Sequence, residues 1–287
     1  MPPDAIAPDH PIFVFGSGWR CGSTLVQRLL CSHPDVRVWG ESRDLVEHLM
    51  HGWETVEGLQ TLSSKNQENL EREGHQGWIA VLNPGFDHFE RGMRELLRRY
   101  LAEPARAEGR PRWGFKEVRC DAAAARWLAH LFPEARFLFL VRHPQDCVAS
   151  ARGTTHENRG LMPEVGGPEA FVAHWTRVTR SFRDAHDVAH LTVVYEQLIE
   201  KPREAADDIA CFLDLDPSGF DLGVFDNKVR GWKREPRLEL ADWKALRDPA
   251  LWEVAEPYGY TRRPEPGLLE RYFGGGRRPP GRARRTP

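Results

Sequence analysis

The segment SGWRCGST, residues 17–24, contains residue types that can bind the oxygens of a phosphate or a sulfate. It follows an apolar run at 12–15 and precedes a stretch with helical periodicity, so it lies in a turn between a strand and a helix. The first amides of that helix and the hydroxyls of Ser23 and Thr24 can donate to an anion. The guanidinium of Arg20 adds a planar fork of donors. These features predict an oxyanion site, although a glycine-rich turn can also simply join two elements.

The spacing of this segment is that of the P-loop pattern GxxxxGKS/T, with two departures. Ser17 replaces the first glycine, and Ser23 replaces the lysine that contacts the phosphates of nucleoside triphosphates. In LVRHPQDCVAS an apolar strand ends at Arg142, where triphosphatases place a magnesium-binding acid, and Ser150 follows eight residues later. These differences disfavour an ATP or GTP enzyme. Taken by itself, Arg142 can be a strand-end arginine that is paired with an acid.

Apolar runs and helical stretches alternate along the chain, which predicts an α/β fold with a mainly parallel, doubly wound sheet flanked by helices. In such sheets ligands bind beyond the carboxyl ends of the strands, so the loop and Arg142 should lie at the same edge. The predicted strands are the runs at 12–15, 36–39, 112–118, 135–141 and 191–194.

The composition argues against several classes of function. The formal net charge is -2, so the whole chain has no attraction for nucleic acid. No apolar run approaches the roughly 20 residues that cross a bilayer, and the N-terminus carries acids and prolines where a secretory signal is basic and apolar. The 5 cysteines include no CxxC pair, so no zinc ribbon or disulfide framework is predicted. We expect a cytoplasmic protein with no membrane span, no metal site and no nucleic-acid partner.

The motif segments together resemble a known family. The stretch FVFGSGWRCGSTLVQRLLCSHPDVRVWGESR, residues 13–43, is similar to the 5′-phosphosulfate loop of the sulfotransferases that use 3′-phosphoadenosine-5′-phosphosulfate (PAPS). It most resembles the tyrosylprotein sulfotransferases and their bacterial relatives. KEVR at 116–119, LVRHPQDCVAS at 140–150 and VVYEQL at 193–198 extend the resemblance along the chain. The resemblance implies a P-loop-like sulfotransferase fold.

The resemblance also implies roles for individual residues. Glu41 lies where the tyrosylprotein enzymes have their catalytic glutamate and would be the general base, although a glutamate there can also stabilise a helix N-terminus. Lys116 would be the cation for the leaving group, a task that Arg20 would share. The 5′ end of PAPS would be bound by Arg20, Cys21, Gly22, Ser23 and Thr24, the 3′-phosphate by Arg142 and Ser150, and the rest of the nucleotide by Tyr195 and Lys233.

This chain departs from the family pattern in two places, where it has Gly40 instead of an acid and WRCGST instead of PRSGTT. The late lysine is ambiguous between Lys228 and Lys233, of which we favour Lys233. Cys21 is expected to be a small spacer and not a nucleophile, because no base is evident beside it.

The predicted function is transfer of a sulfuryl group from PAPS to an acceptor hydroxyl, which leaves adenosine 3′,5′-bisphosphate. We expect a small-molecule acceptor in preference to a peptide tyrosine or a carbohydrate, because the chain shows no anchor or signal for a secretory compartment. The alternatives are a P-loop small-molecule kinase, which would need ATP and a metal, and a catalytically idle nucleotide-binding protein. The sequence does not indicate an oligomeric state.

The chain is expected to form one domain over residues 1–274. Within it, residues 55–108 alternate amphipathic helical segments with Gly and Pro breaks and are predicted to be a helical insertion on the acceptor side. Residues 275–287 combine arginines with Gly and Pro and contain no acid, so we predict a basic disordered tail.

Overall fold

The computed structural model describes residues 9–153, 155–156, 159–226 and 238–265. Its strands are β1 Ile12–Gly16, β2 Val36–Trp39, β3 Arg112–Glu117, β4 Arg136–Val141, β5 Thr155–His156, β6 Arg159–Gly160 and β7 His190–Val194. Five of them form one parallel sheet in the order β2-β3-β1-β4-β7, and β5 pairs antiparallel with β6. The large sheet is flanked by helices, so the predicted α/β fold class is confirmed.

β1 is the central strand, and all of its residues are buried. Its Phe13 and Phe15 rings lie 5.4 and 5.9 Å from the ring of Phe137 on β4, so aromatic packing joins neighbouring strands. After β1 the chain crosses to β2 on one side of the sheet, and it later reaches β4 on the other side. Open α/β sheets bind ligands at the point where the strand order reverses, which here is the carboxyl end of β1.

Helices connect the strands where the sequence has helical periodicity. Several of these helices begin with a side-chain oxygen cap or a proline that suits the first turn: Asp121 caps α6 (Ala122–Leu131), Pro144 begins α7 (Pro144–Arg152) and Pro168 begins α9 (Pro168–Arg183). Short 3₁₀ turns lie at Gly74–Gln76, Pro217–Gly219, Leu222–Phe225 and Glu256–Tyr258, and a π-helical turn lies at Arg98–Ala102. The helices are α1 Ser23–Ser32, α2 Leu45–Gly58, α3 Gln60–Glu73, α4 Phe86–Leu97, α5 Glu103–Ala107, α6 Ala122–Leu131, α7 Pro144–Arg152, α8 Leu161–Glu164, α9 Pro168–Arg183, α10 Tyr195–Glu200, α11 Pro202–Leu213, α12 Leu240–Ala245 and α13 Pro249–Ala255.

Residues 55–108 are largely helical, as predicted, and are tied to the start of the sheet. The carboxylate of Asp9, just before β1, accepts hydrogen bonds from Arg98 and Arg106 at 2.5 Å each. The Asp9 side chain is only 2% exposed, and a buried carboxylate requires such cationic partners. This ion cluster fixes the end of the insertion against β1 and β3.

No helix among the described residues is long and apolar enough to span a membrane. The predicted basic tail at 275–287 lies outside the described residues, as do Lys233 and its alternative Lys228. The single-domain boundary at residue 274 stays a prediction.

Candidate active site

The loop between β1 and α1 has a backbone conformation that requires glycine at two positions. Gly18 and Gly22 have φ angles of 138° and 99°, which L side chains rarely adopt. A Cβ at Gly22 would lie 2.3 Å from the ring of Tyr195, so the loop approaches that ring too closely for any other residue. α1 begins at Ser23, and the first amides of a helix have no carbonyl one turn earlier to bind. The amides of Ser23 and Thr24 are therefore suited to an anion.

Cys21 contributes its backbone to this loop and packs its side chain inward. It is fully buried, and its sulfur lies 2.3 Å from the position that a Cβ on Gly16 would occupy. Burial raises the pKa of the Cys21 thiol above its ordinary value. A neutral, enclosed thiol fits a spacer and not a nucleophile.

Arg20, Arg142, Ser150 and Tyr195 form the donor cluster, at the carboxyl ends of β1, β4 and β7. Arg142 Nη1 donates to the carbonyl oxygen of Arg20 at 2.9 Å, and its guanidinium carbon lies 4.3 Å from the centre of the Tyr195 ring. Arg20 Nε donates to Ser150 Oγ at 3.0 Å. Burial, followed by the charge of Arg142, lowers the pKa of the Arg20 guanidinium. Two neighbouring guanidiniums in a half-buried place create a strong local attraction for an anion.

Arg142 has no acidic partner within the part of the chain that the structure describes. Its Nε is buried and makes no hydrogen bond there. The alternative for Arg142 is pairing with an acid at the end of the strand. The described residues do not form such a pair. The unmet donor points instead to an anionic ligand.

The side chain of Arg20 donates a hydrogen bond to Ser150, and the charge of Glu41 also acts on its guanidinium. Arg20 has a φ of 64°, a left-handed conformation that is uncommon for a residue with a side chain. Sequence reasoning could not foresee this backbone conformation, and with it the direction of the guanidinium. The role of Arg20 at the leaving group stays a prediction.

Glu41, Lys116, Arg119 and Glu117 form the carboxylate cluster, at the carboxyl ends of β2 and β3. Lys116 Nζ donates to Glu41 Oε1 in a short contact, and Arg119 Nη1 donates to Glu41 Oε2 at 3.2 Å and to Glu117 Oε1 at 2.9 Å. Burial alone would raise the pKa of Glu41, but the charges of Lys116 and Arg119 outweigh it and hold that pKa below its ordinary value. Glu41 is thus an ionised carboxylate at neutral pH, as a general base must be.

Glu196 joins the carboxyl ends of β4 and β7, a feature that sequence reasoning missed. Its Oε1 accepts from the backbone amide of His143 at 3.1 Å, and its Oε2 accepts from the hydroxyl of Tyr260 at 2.6 Å. Because Glu196 follows Tyr195 and His143 follows Arg142, this carboxylate fixes Arg142 and Tyr195 relative to each other. Glu196 lies in VVYEQL and Tyr260 lies 64 residues later, and no sequence pattern indicates that they meet.

A cleft of about 600 Å³ adjoins the carboxylate cluster, because Arg119 lines both. Its walls come from residues 43–54, at the start of α2, from residues 119–124, and from Arg177 on α9. Residues 55–108, predicted to be the acceptor side, do not line this cleft. Their acceptor role stays a prediction, and the surface next to Glu41 is formed by the segment just before them.

A family model described as the sulfotransferase family matches residues 11–218. The chain is 26% identical over 220 residues to a protein-tyrosine sulfotransferase of Drosophila melanogaster, covering 72% of this chain and 38% of that protein. It is also 26% identical over 217 residues to a putative protein-tyrosine sulfotransferase of Caenorhabditis briggsae, covering 71% of this chain and 65% of that protein. The chain thus spans less than two thirds of the length of either relative.

Among solved structures, the fold is similar to a sulfotransferase domain from the olefin synthase of Synechococcus PCC 7002. The two share 20% sequence identity with a TM-score of 0.50, and the match covers 92% of this chain and 99% of that chain. This likeness confirms the predicted P-loop-like sulfotransferase fold.

The expectation of a small-molecule acceptor in preference to a peptide tyrosine is wrong on these comparisons, since both relatives are protein-tyrosine sulfotransferases. That expectation rests on sequence signals of localisation. Such signals concern where a protein resides and carry no information about which acceptor its cleft binds.

Proposed function

Because the chain belongs to the sulfotransferase family, we propose that it transfers a sulfuryl group from PAPS to the hydroxyl of a peptide tyrosine. One observation carries the proposal: the donor cluster and the carboxylate cluster lie at the carboxyl ends of adjacent parallel strands. A cationic anion site beside an ionised carboxylate is what transfer from an anionic donor to a hydroxyl requires.

The residues of the donor cluster fit PAPS. Arg142 has a buried Nε without a partner among the described residues, and Arg20 and Ser150 lie beside it, so a 3′-phosphate would be bound here. The amides and hydroxyls of Ser23 and Thr24 would bind the 5′ end, at the N-terminus of α1. Gly22 packs closely against the Tyr195 ring, so the ring lies beside the loop. Tyr195 would therefore border the bound nucleotide.

When bound, PAPS supplies the sulfuryl group and leaves as adenosine 3′,5′-bisphosphate. Glu41 would accept the proton that the tyrosine hydroxyl loses, since its carboxylate is ionised and lies beside the cleft. Lys116 would turn from Glu41 to the leaving phosphate, where its charge stabilises the negative charge that builds up in the transition state. Cys21 would take no chemical part, because its thiol is enclosed.

The cleft supports the choice of a peptide acceptor, together with the two protein-tyrosine sulfotransferase relatives. At about 600 Å³ it has room for a tyrosine side chain with neighbouring residues. Half of the residues that line it are charged, and most of these are exposed, as suits a peptide that also presents polar groups. The cytoplasmic localisation predicted from the sequence is not needed by this proposal and stays a prediction.

A transfer assay tests the proposal. The protein is incubated with PAPS and tyrosine-containing peptides in the presence of a metal chelator, and the products are analysed by mass spectrometry. We expect a mass increase of one sulfuryl group on tyrosine and none on matched peptides with phenylalanine at that position. Phosphorylation from ATP in the presence of magnesium, with no transfer from PAPS, would contradict the proposal and favour a kinase.

A further inference from the structure

Glu41 is held by two cations that differ in their surroundings. Lys116 lies on β3 with a side chain that is 8% exposed, and Glu41 is the carboxylate that it contacts. Arg119 follows β3, is 29% exposed, and contacts a second carboxylate as well. One cation can therefore be withdrawn from Glu41 while the other retains an attachment of its own.

Lys116 has two tasks in the proposed function. It contacts Glu41 in the structure, and it would neutralise the leaving phosphate during transfer. A lysine ammonium is a compact point charge, so moving it to the phosphate removes its contact with Glu41. Without another partner, the Glu41 side chain would then have no contact that fixes its position during proton transfer from the acceptor hydroxyl.

Arg119 has an anchor that does not depend on the donor. Glu117 is fully buried on β3, where its Oε1 accepts from the Val118 amide at 2.9 Å and from Arg119 Nη1 at 2.9 Å. The Arg119 guanidinium also lies 5.9 Å from the centre of the ring of Trp19, which belongs to the loop between β1 and α1. An arginine fork can bind two carboxylates at once, so Glu117 fixes Arg119 while Arg119 holds Glu41.

We propose that Arg119 is a positioning residue, anchored on the buried Glu117, that holds the Glu41 carboxylate toward the acceptor cleft when Lys116 turns to the leaving phosphate. This inference rests on the proposed function. It gives Arg119 and Glu117 roles that neither the sequence motifs nor the donor site requires, since neither residue lies in the donor cluster.

If Arg119 holds Glu41 in this way, the pKa of Glu41 depends on Arg119. The charged groups that face Glu41 are Lys116 and Arg119, while Glu117 and Arg20 act at longer range. A cation beside a carboxylate lowers its pKa, so removal of Arg119 raises the pKa of Glu41. The rise should be larger when a nucleotide occupies Lys116, because Glu41 then has lost both cations.

The test is a ¹³C NMR titration of the Glu41 carboxyl in glutamate-labelled protein, assigned with Glu41→Gln, with and without adenosine 3′,5′-bisphosphate. In Arg119→Met we expect the Glu41 midpoint to rise by about one pH unit with the nucleotide bound, and by clearly less without it. Arg126→Met is the matched control, because Arg126 forms an exposed pair with Asp187 at 2.6 Å, outside the two clusters. It should leave the midpoint unchanged. Equal shifts of Arg119→Met with and without nucleotide, or no shift, would overturn the inference.

Arg119→Lys separates charge from positioning. It restores a cation near Glu41, so most of the midpoint shift should disappear, but one ammonium cannot reproduce the two-carboxylate bridge. We expect kcat for peptide sulfation to stay at least about tenfold below wild type in both variants. Full recovery of kcat in Arg119→Lys would show that charge alone matters and would contradict the bridging role.

Failure of the variant to fold, failure of the proposed function and failure of the role of Arg119 can be told apart. If Arg119→Met does not fold because Glu117 is left buried without a cation, the double variant Arg119→Met/Glu117→Gln carries the same comparison with and without nucleotide. If the wild type does not bind adenosine 3′,5′-bisphosphate, the proposed function and this inference both fail. If it binds and the nucleotide-dependent difference is absent, only the role of Arg119 fails.

Discussion

The donor cluster and the cleft that we propose for the acceptor lie at the same edge of the sheet, but they are built differently. In the donor cluster, Ser150 is 1% exposed, and the neighbouring Gly22 has no room for a Cβ beside the Tyr195 ring. Around the cleft, the α2 residues Glu47, His48 and His51 are exposed. A site for one fixed nucleotide constrains residue types by shape and charge, whereas a site for an acceptor leaves many surface residues open to change. This difference explains why sequence motifs point to individual residues for the nucleotide but not for the acceptor.

The largest effect should come from Glu41, at the boundary of the two regions. We expect Glu41→Gln to lower kcat by a factor of about 10² to 10⁴, because the general base is lost. The affinity for adenosine 3′,5′-bisphosphate should change by less than about twofold, since Glu41 does not contact the donor cluster. Steady-state kinetics and calorimetry measure the two effects.

Glu90→Gln is the control, because Glu90 pairs with Arg94 at 2.8 Å on α4 and belongs neither to the two clusters nor to the lining of the cleft. Its kcat should equal that of the wild type. A Glu41→Gln enzyme with full activity would show that the base is another residue.

Next in size is Arg142, which belongs to the donor cluster alone. Loss of a charged hydrogen-bonding group costs about 1.5 to 3 kcal/mol, so Arg142→Met should weaken the binding of adenosine 3′,5′-bisphosphate by about ten- to hundredfold. Adenosine 5′-phosphate lacks the 3′-phosphate, and its affinity should hardly change. Equal losses for the two ligands would show that Arg142 does not bind the 3′-phosphate.

Gly22→Ala should follow, because the added Cβ would lie 2.3 Å from the Tyr195 ring and the backbone has a φ of 99°. Strain of about 1 to 3 kcal/mol should reduce bisphosphate affinity by roughly tenfold and lower the melting temperature. Gly92→Ala is the matched control, since Gly92 lies in α4 with no atom within 4 Å of its added Cβ. That variant should be neutral or stabilised by about 0.5 to 1 kcal/mol. Unaltered donor binding in Gly22→Ala would show that the loop adapts freely.

The smallest effect should come from Tyr260, which is linked to the donor cluster through Glu196. Tyr260→Phe removes the hydrogen bond to Glu196 and should cost about 1 kcal/mol of unfolding free energy, measured by denaturant titration. Bisphosphate affinity should fall by less than about threefold, and KM for the peptide should not change. A larger change in peptide KM than in bisphosphate affinity would contradict the separation of the two regions.

The sheet and the meeting of the donor residues could be predicted from the sequence because they follow from local patterns. The apolar run ending at Arg142 makes a buried parallel strand, and parallel strands bring their carboxyl ends together, so Arg142 had to approach the loop at 17–24. The left-handed conformation of Arg20 and the pairing of Glu196 with Tyr260, 64 residues apart in sequence, are tertiary features without a local signal. The same holds for the contact of Arg119 with Glu41, 78 residues apart in sequence, which the neighbouring strands β2 and β3 bring together, whereas Glu117 lies only two residues before Arg119.

The central claim is that the cationic groups beyond β1 and β4 form a site for a nucleotide with phosphates at both its 3′ and 5′ positions. Titration calorimetry of the wild-type protein with adenosine 3′,5′-bisphosphate and with ATP, both in the presence of a metal chelator, tests it most directly. The account predicts one bisphosphate bound per chain, with an affinity well above that for ATP. Equal or tighter binding of ATP would contradict it.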